Sequence, residues 1–519
     1  MLLQTILRPF GCLASLVALS ESAAISSTTR NFTDVPIINL NDAVDGALNV
    51  TAWSLIYSYP LYIFANFAGN VLRSVPINTI YHQRQLSSPD NPGVIKPNID
   101  TLYSRVVLDL SHHDVVLTIP NITDGRYWNY PVYDSFGNVI AAIGNLNNYT
   151  GGQYLIRRSD DVLIQPGVQA SGNPPHKKYL QHERHHGSSG SNETAYKAIV
   201  NLPTTHGTLL IRLFVKENTT EDLNQLHTYQ NASFLTSIPR NISAALSPSG
   251  NITSLAPNGS LLGLDTPEKL FDFAAKFVPY NQPENYTDRY RVASILGAAG
   301  IYGGRYHPLS GVNLTQAALV ANASITADLA NSSHIRHLGN NWELTIPSYQ
   351  GNFGTNYGPR AYVAINGYQQ QKTDQTLYPG YKNTGFTSSA SLSSGQALLL
   401  TFSGKPPLKK TGFWSLSIYG ADQYLIPNPI DLFEIGDRSS NLTYQHGGLV
   451  YGAGANASYD GPFQVLVQNA NSAPPANWTG NWLPASDSFS YILRWYAPQD
   501  ALTNGSYVYP TQQNITQII

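Results

Sequence analysis

Sulfur is almost missing from this chain: its 519 residues include one cysteine, Cys12, and one methionine, Met1. Charge is scarce as well, with 30 Lys and Arg against 32 Asp and Glu. Only 12% of residues are charged, roughly half the usual share, and the formal net charge is −2. No basic patch suggests nucleic acid as a partner, and no acidic tail suggests a solvating arm. A glycine-rich phosphate loop, a G-x-S-x-G nucleophile elbow and a dinucleotide fingerprint are all missing, so no cofactor is expected. The carboxyl end, residues 513–519, has no long apolar tail of the kind that signals a lipid anchor.

What is present is the makings of a folded protein: 42% of residues are hydrophobic and 11% aromatic, in a chain long enough for two cores. The amino terminus carries Arg8, an apolar run through Leu13, Leu16, Val17 and Leu19, and then Ser22-Ala23-Ala24. This is the pattern of a secretory signal peptide cleaved after Ala24; read instead as a membrane anchor, the run is too short to span. Chains beginning at residue 25 would contain no sulfur at all, which removes disulfides, cysteine nucleophiles and thiolate metal sites together. No membrane association is then expected, and the expected location is extracellular or the secretory lumen.

Asn-x-Ser/Thr acceptors are dense, as in a glycosylated eukaryotic exoprotein. In the first half they stand at Asn31, Asn49, Asn121, Asn148, Asn192, Asn218, Asn231, Asn241, Asn251 and Asn258. In the second they stand at Asn285, Asn313, Asn322, Asn331, Asn441, Asn456, Asn477, Asn504 and Asn514. Residues 332–440 hold none, a gap that reads as buried or functional surface.

The patterning predicts an α+β fold in four parts after the signal. Residues 25–230 read as a mixed α/β module. Residues 50–72 carry no charge, but Ser, Asn, Gly and Pro60 interrupt them, which favours a buried, Pro-kinked helix over a membrane span. The β-rich runs 106–110, 115–119 and 127–133 read as consecutive antiparallel strands, with more near 153–157 and 208–215. A helix starting at Thr219 should run to Tyr229. Residues 231–265, rich in Asn, Ser, Pro and Gly, read as an exposed glycosylated linker, and 266–390 as a mainly helical middle. From 391 to 519 short strands at 397–402, 413–419, 463–467 and 491–496, separated by turns, predict a jelly-roll-like β-sandwich.

Several spaced motifs resemble a known pair of modules. Pro97-Asn-Ile-Asp-Thr-Leu-Tyr103, Leu108-Asp-Leu110, Gly125-Arg-Tyr127 and Asp134 resemble the domain of unknown function 1254. Pro406-Pro407, Phe413-Trp-Ser-Leu416, Asn481-Trp-Leu-Pro484 and Arg494-Trp-Tyr-Ala-Pro498 resemble its usual partner, domain of unknown function 1214. The resemblance implies the same architecture and brings no established activity. A polar insertion at 169–191 departs from the pattern.

The densest polar constellation lies between Val94 and Gly144. Asp100 and Asp134, if adjacent strands bring them together, could act as a paired acid and base beside Arg126. Asn98, Thr101, Tyr103 and Tyr127, with Trp414 and Arg494 from the sandwich, could line a site for a neutral polar ligand. The competing reading is structural: Asn98 and Asp100 cap a turn, Arg126 pairs with Asp134, and Trp414 is core. Alternation puts Arg494 and Tyr496 on one strand face and Trp495 on the other, and a buried Arg494 would need a partner, such as a carboxylate of the first module. The segment His182-Glu-Arg-His-His186 matches H-E-x-x-H, but Gly187 and Gly190 end any helix at once, so it reads as a solvated insertion and no metal is assigned.

Two functions fit. One is a secreted enzyme doing cofactor-independent acid/base chemistry, a hydrolysis or a non-redox rearrangement in a secondary-metabolite pathway, on a neutral polar small molecule or carbohydrate. The other is a non-catalytic extracellular protein that binds glycan or protein.

Overall fold

The computed structural model describes residues 35–170 except 41, 43, 92, 93 and 163, residues 196–240, and residues 251–519 except 383 and 384. The expected signal peptide, the His182–His186 segment and the acceptors Asn31, Asn192 and Asn241 lie outside the described residues.

The uncharged stretch is the helix Ala47–Leu72, which has Trp53, Tyr57, Leu61, Phe64 and Ala68 among its buried residues. A helix apolar all round belongs inside a core, and four others pack on it: Pro267–Phe277, Arg289–Ala298, Leu314–Leu329 and Tyr357–Gly367. Pro60 lies within it as a continuous helical residue. Among the described residues no helix is long and apolar enough to cross a membrane. Thr266 starts the Pro267–Phe277 helix, its hydroxyl accepting the Lys269 N–H, with Pro at the first helical position.

The amino-terminal module has two five-stranded sheets around one core. In the first, Thr101–Asp109 pairs with Tyr81–His82 and His206–Phe214, and Trp128–Asp134 and Val139–Gly144 follow. The second is ordered Phe234–Pro239, His113–Ile119, Gly152–Arg158, Ala198–Leu202, Gly167–Ala170. Leu102, Val106 and Leu108 of one face Val115, Leu117 and Ile156 of the other. The expected consecutive antiparallel strands are therefore corrected: 101–109 and 128–134 share a sheet, and 113–119 between them belongs to the opposite one. The expected linker is corrected too. Phe234–Pro239 is an edge strand, and Ile252 is buried with its N–H donated to Asp109 Oδ2 at 2.8 Å.

The carboxyl-terminal part is a two-sheet sandwich. One sheet holds Ser488–Tyr496, Trp414–Tyr419 and Glu434–Gly436; the other holds Trp482–Ala485, Phe463–Asn469, Gln396–Phe402 and Thr511–Thr516. One pair, Phe463–Asn469 with Trp482–Ala485, is parallel. Between the sheets Phe402 stacks on Phe463 with ring centroids 4.8 Å apart, and Trp414 and Trp495 pack beside them. Strand alternation then decides the rest. Trp414, Leu416 and Ile418 enter this core, and Ser415, Ser417 and Tyr419 project toward the amino-terminal module.

Candidate functional site: a cationic cavity between the modules

The loop 94–100 is stapled to the sandwich by its own polar groups. Tyr419 donates its hydroxyl to the Pro97 carbonyl at 2.7 Å, and Arg494 Nη2 donates to the Lys96 carbonyl at 2.9 Å. Asn98 Nδ2 donates to the Tyr496 hydroxyl at 2.5 Å, and its Oδ1 accepts the Thr101 N–H and hydroxyl. Asp100 accepts Ser415 Oγ at 2.7 Å and Arg438 Nη2 at 3.2 Å.

Behind this staple lies a cavity lined by Lys96, Tyr103 and Arg212 on one side and Tyr378, Arg494 and Tyr496 on the other, with Tyr368, Gln369 and Gln370 between. Its free volume is about 40 Å³. One water needs about 10–15 Å³ on that measure, so the free space suits about three waters or a ligand of a few heavy atoms.

Its electrostatics are one-sided. Arg212 and Arg494 are 5% and 4% exposed. Arg212 donates to the Tyr103 hydroxyl at 3.3 Å and the Gln369 carbonyl at 2.9 Å, and its Nε has no partner. Arg494 donates to Ser417 Oγ, the Lys96 carbonyl and the Tyr419 hydroxyl. The first-module carboxylate expected opposite Arg494 is not there; neutral oxygens take its place. Among the described residues no carboxylate lies within ion-pair distance of either arginine and none lines the cavity, although Glu434, farther off, attracts Arg494. Buried charges are ordinarily paired, which makes this wall unusual.

The phenols face the same space. Tyr103 accepts the Asn98 N–H at 3.1 Å as well as Arg212, which leaves its own proton uncommitted. Burial, reinforced by Tyr378, raises the Tyr496 pKa well above its ordinary value against the pull of Arg494 and Arg212, so Tyr496 remains a donor. The backbone is strained here also. Apart from Asn and Asp, five described non-glycine residues have left-handed φ: Lys96, Gln369, Lys382, Gln423 and Ala497. Lys96 and Gln369 line the cavity, the Gln423 carbonyl accepts the Lys96 N–H, and Ala497 follows Tyr496. Such conformations cost about 1–3 kcal/mol each and gather at ligand clamps.

The residues expected to be catalytic are dispersed. Thr101, next to Asp100, pairs with Phe214, and Asp134 pairs with Gly207 on the same strand. The separation of 214 − 207 = 7 residues is about 23 Å at ~3.3 Å per residue, so the expected Asp100–Asp134 pair does not form. Asp134 accepts the Phe136 and Asn138 N–H groups and Asn138 Nδ2, which is a turn. Arg126 pairs with neither; it bridges Asp124 and Asp222 and donates to the Phe214 carbonyl at 2.6 Å. Of the expected binding residues, Tyr103 and Arg494 line the cavity. Asn98, Thr101 and Tyr127 stand behind its wall, Tyr127 donating to Gln371 Oε1 at 2.8 Å. Trp414 faces away, its Nε1 donating to Tyr451. The sequence reading missed Lys96, Arg212, Gln369, Gln370 and Tyr378. For Arg212 a signal was present: it is the one charge in the apolar run Leu209–Phe214.

Asp100 belongs to a second cluster, in which Arg438 serves Asp100 and Glu434 together. Burial first and Asp100 next push the Glu434 pKa well above the carboxylate range, and burial pushes Asp437 up to about 7. Arg438 faces all three acids and Arg494 also attracts Glu434, so the cluster fastens the modules.

Comparison with known sequences sets these modules in a family. The family model described as "Protein of unknown function (DUF1254)" matches residues 77–237, and that of DUF1214 matches residues 378–500. The chain belongs to the DUF1254–DUF1214 family. No curated protein matches it. Among solved structures, the VPA0106 protein of Vibrio parahaemolyticus is similar at 16% identity, with 91% of this chain and 100% of that one covered and a TM-score of 0.51. This likeness is one of fold. An uncharacterised protein of Burkholderia cenocepacia aligns at 13% identity over 92% of this chain and 91% of its own, with a TM-score of 0.35.

In this DUF1254–DUF1214 chain the cavity sits on the seam. Lys96, Tyr103 and Arg212 come from the DUF1254 match, and Tyr378, Arg494 and Tyr496 from the DUF1214 match. Tyr368, Gln369 and Gln370 come from the segment between, inside the acceptor-free stretch 332–440.

Proposed function

We propose that this protein takes a small organic anion, a short carboxylate, into the cavity between its modules. One observation carries the reading: two buried guanidinium groups line one cavity, and among the described residues its lining contains no carboxylate. An anionic ligand supplies the missing countercharge, and arginine's planar fork suits a carboxylate. A neutral polar ligand, the expectation from sequence, brings no countercharge to either guanidinium. The chemistry that fits is cofactor-independent proton transfer, with the uncommitted Tyr103 hydroxyl as the acid nearest Arg212.

We propose separately that the protein is a secreted glycoprotein, a reading supported by where its acceptors lie. Of the described acceptors, Asn49 and Asn322 are half-buried and the rest are exposed. Among the described residues the buried asparagines are Asn78, Asn98, Asn129, Asn138, Asn201, Asn281, Asn366 and Asn481, and none of these is an acceptor.

Thermal melts of the purified full chain with acetate, glycolate, phosphate or neutral sugars test the ligand class. A carboxylate at 100 times its Kd stabilises by about 2.7 kcal/mol. Stabilisation by carboxylates that Arg212→Met abolishes is the expected result. Stabilisation by sugars alone, or by no carboxylate, overturns it.

A further inference from the structure

We infer that the ligand is a short hydroxycarboxylic acid, with a hydroxyl that donates to the cavity's glutamines. This deepens the anion reading and rests on it.

Gln369 and Gln370 line the cavity, 1% and 6% exposed, and the side-chain Oε1 of each has no hydrogen-bond partner. Gln369 is held from every other side. Its Nε2 donates to Thr208 Oγ1 at 2.7 Å, and its main-chain carbonyl accepts Tyr133 and Arg212. With φ at 66°, its backbone sits in the left-handed region. The side-chain Oε1 is therefore held as an acceptor that has no donor among the described residues.

A bare carboxylate consists of acceptors only. It answers Arg212, Arg494 and the phenols and leaves both amide oxygens unsatisfied. A group that donates must come with it. An ammonium is disfavoured, because Lys96, Arg212 and Arg494 line the same cavity. A hydroxyl donates without adding positive charge. Room for about three waters limits the acid to about two or three carbons.

The test is calorimetric titration of the full chain with matched pairs: glycolate against acetate, lactate against propionate, and glycine as the ammonium arm. The expected result is at least tenfold tighter binding of each hydroxy acid, with glycine weaker than acetate. Gln370→Met should narrow the hydroxy-acid preference to below threefold. Equal affinities within the wild-type pairs, or tighter binding of glycine than of glycolate, overturn this inference and leave the anion reading standing. Binding of no member of either pair overturns both.

Discussion

Arg126 and Arg212 are both buried arginines in the amino-terminal module, and what faces each one separates structure from function. Arg126 has Asp124 and Asp222, so Arg126→Met strands two carboxylates and is expected to destabilise by about 3 kcal/mol, read as a lower urea midpoint, with carboxylate binding unchanged. A binding defect in the folded variant would contradict that assignment. Arg212 has only neutral partners, so Arg212→Met removes an uncompensated buried charge. It should stabilise the ligand-free protein by about 1–3 kcal/mol, read as a higher melting temperature, and a lower melting temperature would count against a ligand role. Sequence reading reached Tyr103 and Arg494 because strand alternation and motif position both point inward there. It missed Gln369 and Gln370 because their role depends on unmet hydrogen bonds, which only the assembled cavity reveals.

At the scale of elements, local pattern carried far and pairing did not. Helix Ala47–Leu72 was legible from its lack of charge, and the strands Trp414–Tyr419 and Ser488–Tyr496 from alternation. A period of two says which residues share a face and nothing of which strand lies alongside. For that reason the division of 101–109 and 113–119 between sheets, and the distance from Asp100 to Asp134, stayed out of reach. Trp414 shows the consequence. Placed by alternation in the sandwich core, it should cost about 3–5 kcal/mol as Trp414→Ala and leave the carboxylate specificity of the folded fraction intact. Specificity that shifts toward sugars would put Trp414 in the site after all.

The whole molecule should also report its buried acids. Burial, with Asp134 adding to it, pushes Glu284 up to about 7, and burial does the same for Asp437. Unfolded, such groups titrate near 4. The folded chain thus binds more protons from pH about 4 to 7, and this contribution to stability is lost as pH rises through about 7. His82, lowered to about 4 by burial and then by Arg84, works in the opposite direction only below its unfolded value near 6.5. Urea midpoints should therefore fall between pH 6.5 and 8, and Glu284→Gln with Asp437→Asn should flatten the slope; a slope kept in the double variant would contradict this origin. Peptide mapping of chain secreted from a eukaryotic host should find glycan on exposed acceptors such as Asn121 and Asn441. Retention of the chain inside the cell, or bare acceptors throughout, would contradict the secreted reading.

A crystal structure of the full chain with glycolate would show whether the seam between the modules is an anion site. The carboxylate is expected against the guanidinium of Arg212 or Arg494 in the cavity bounded by Tyr103, Tyr378 and Tyr496. A cavity filled only by water at saturating glycolate, or glycolate bound elsewhere, would contradict it.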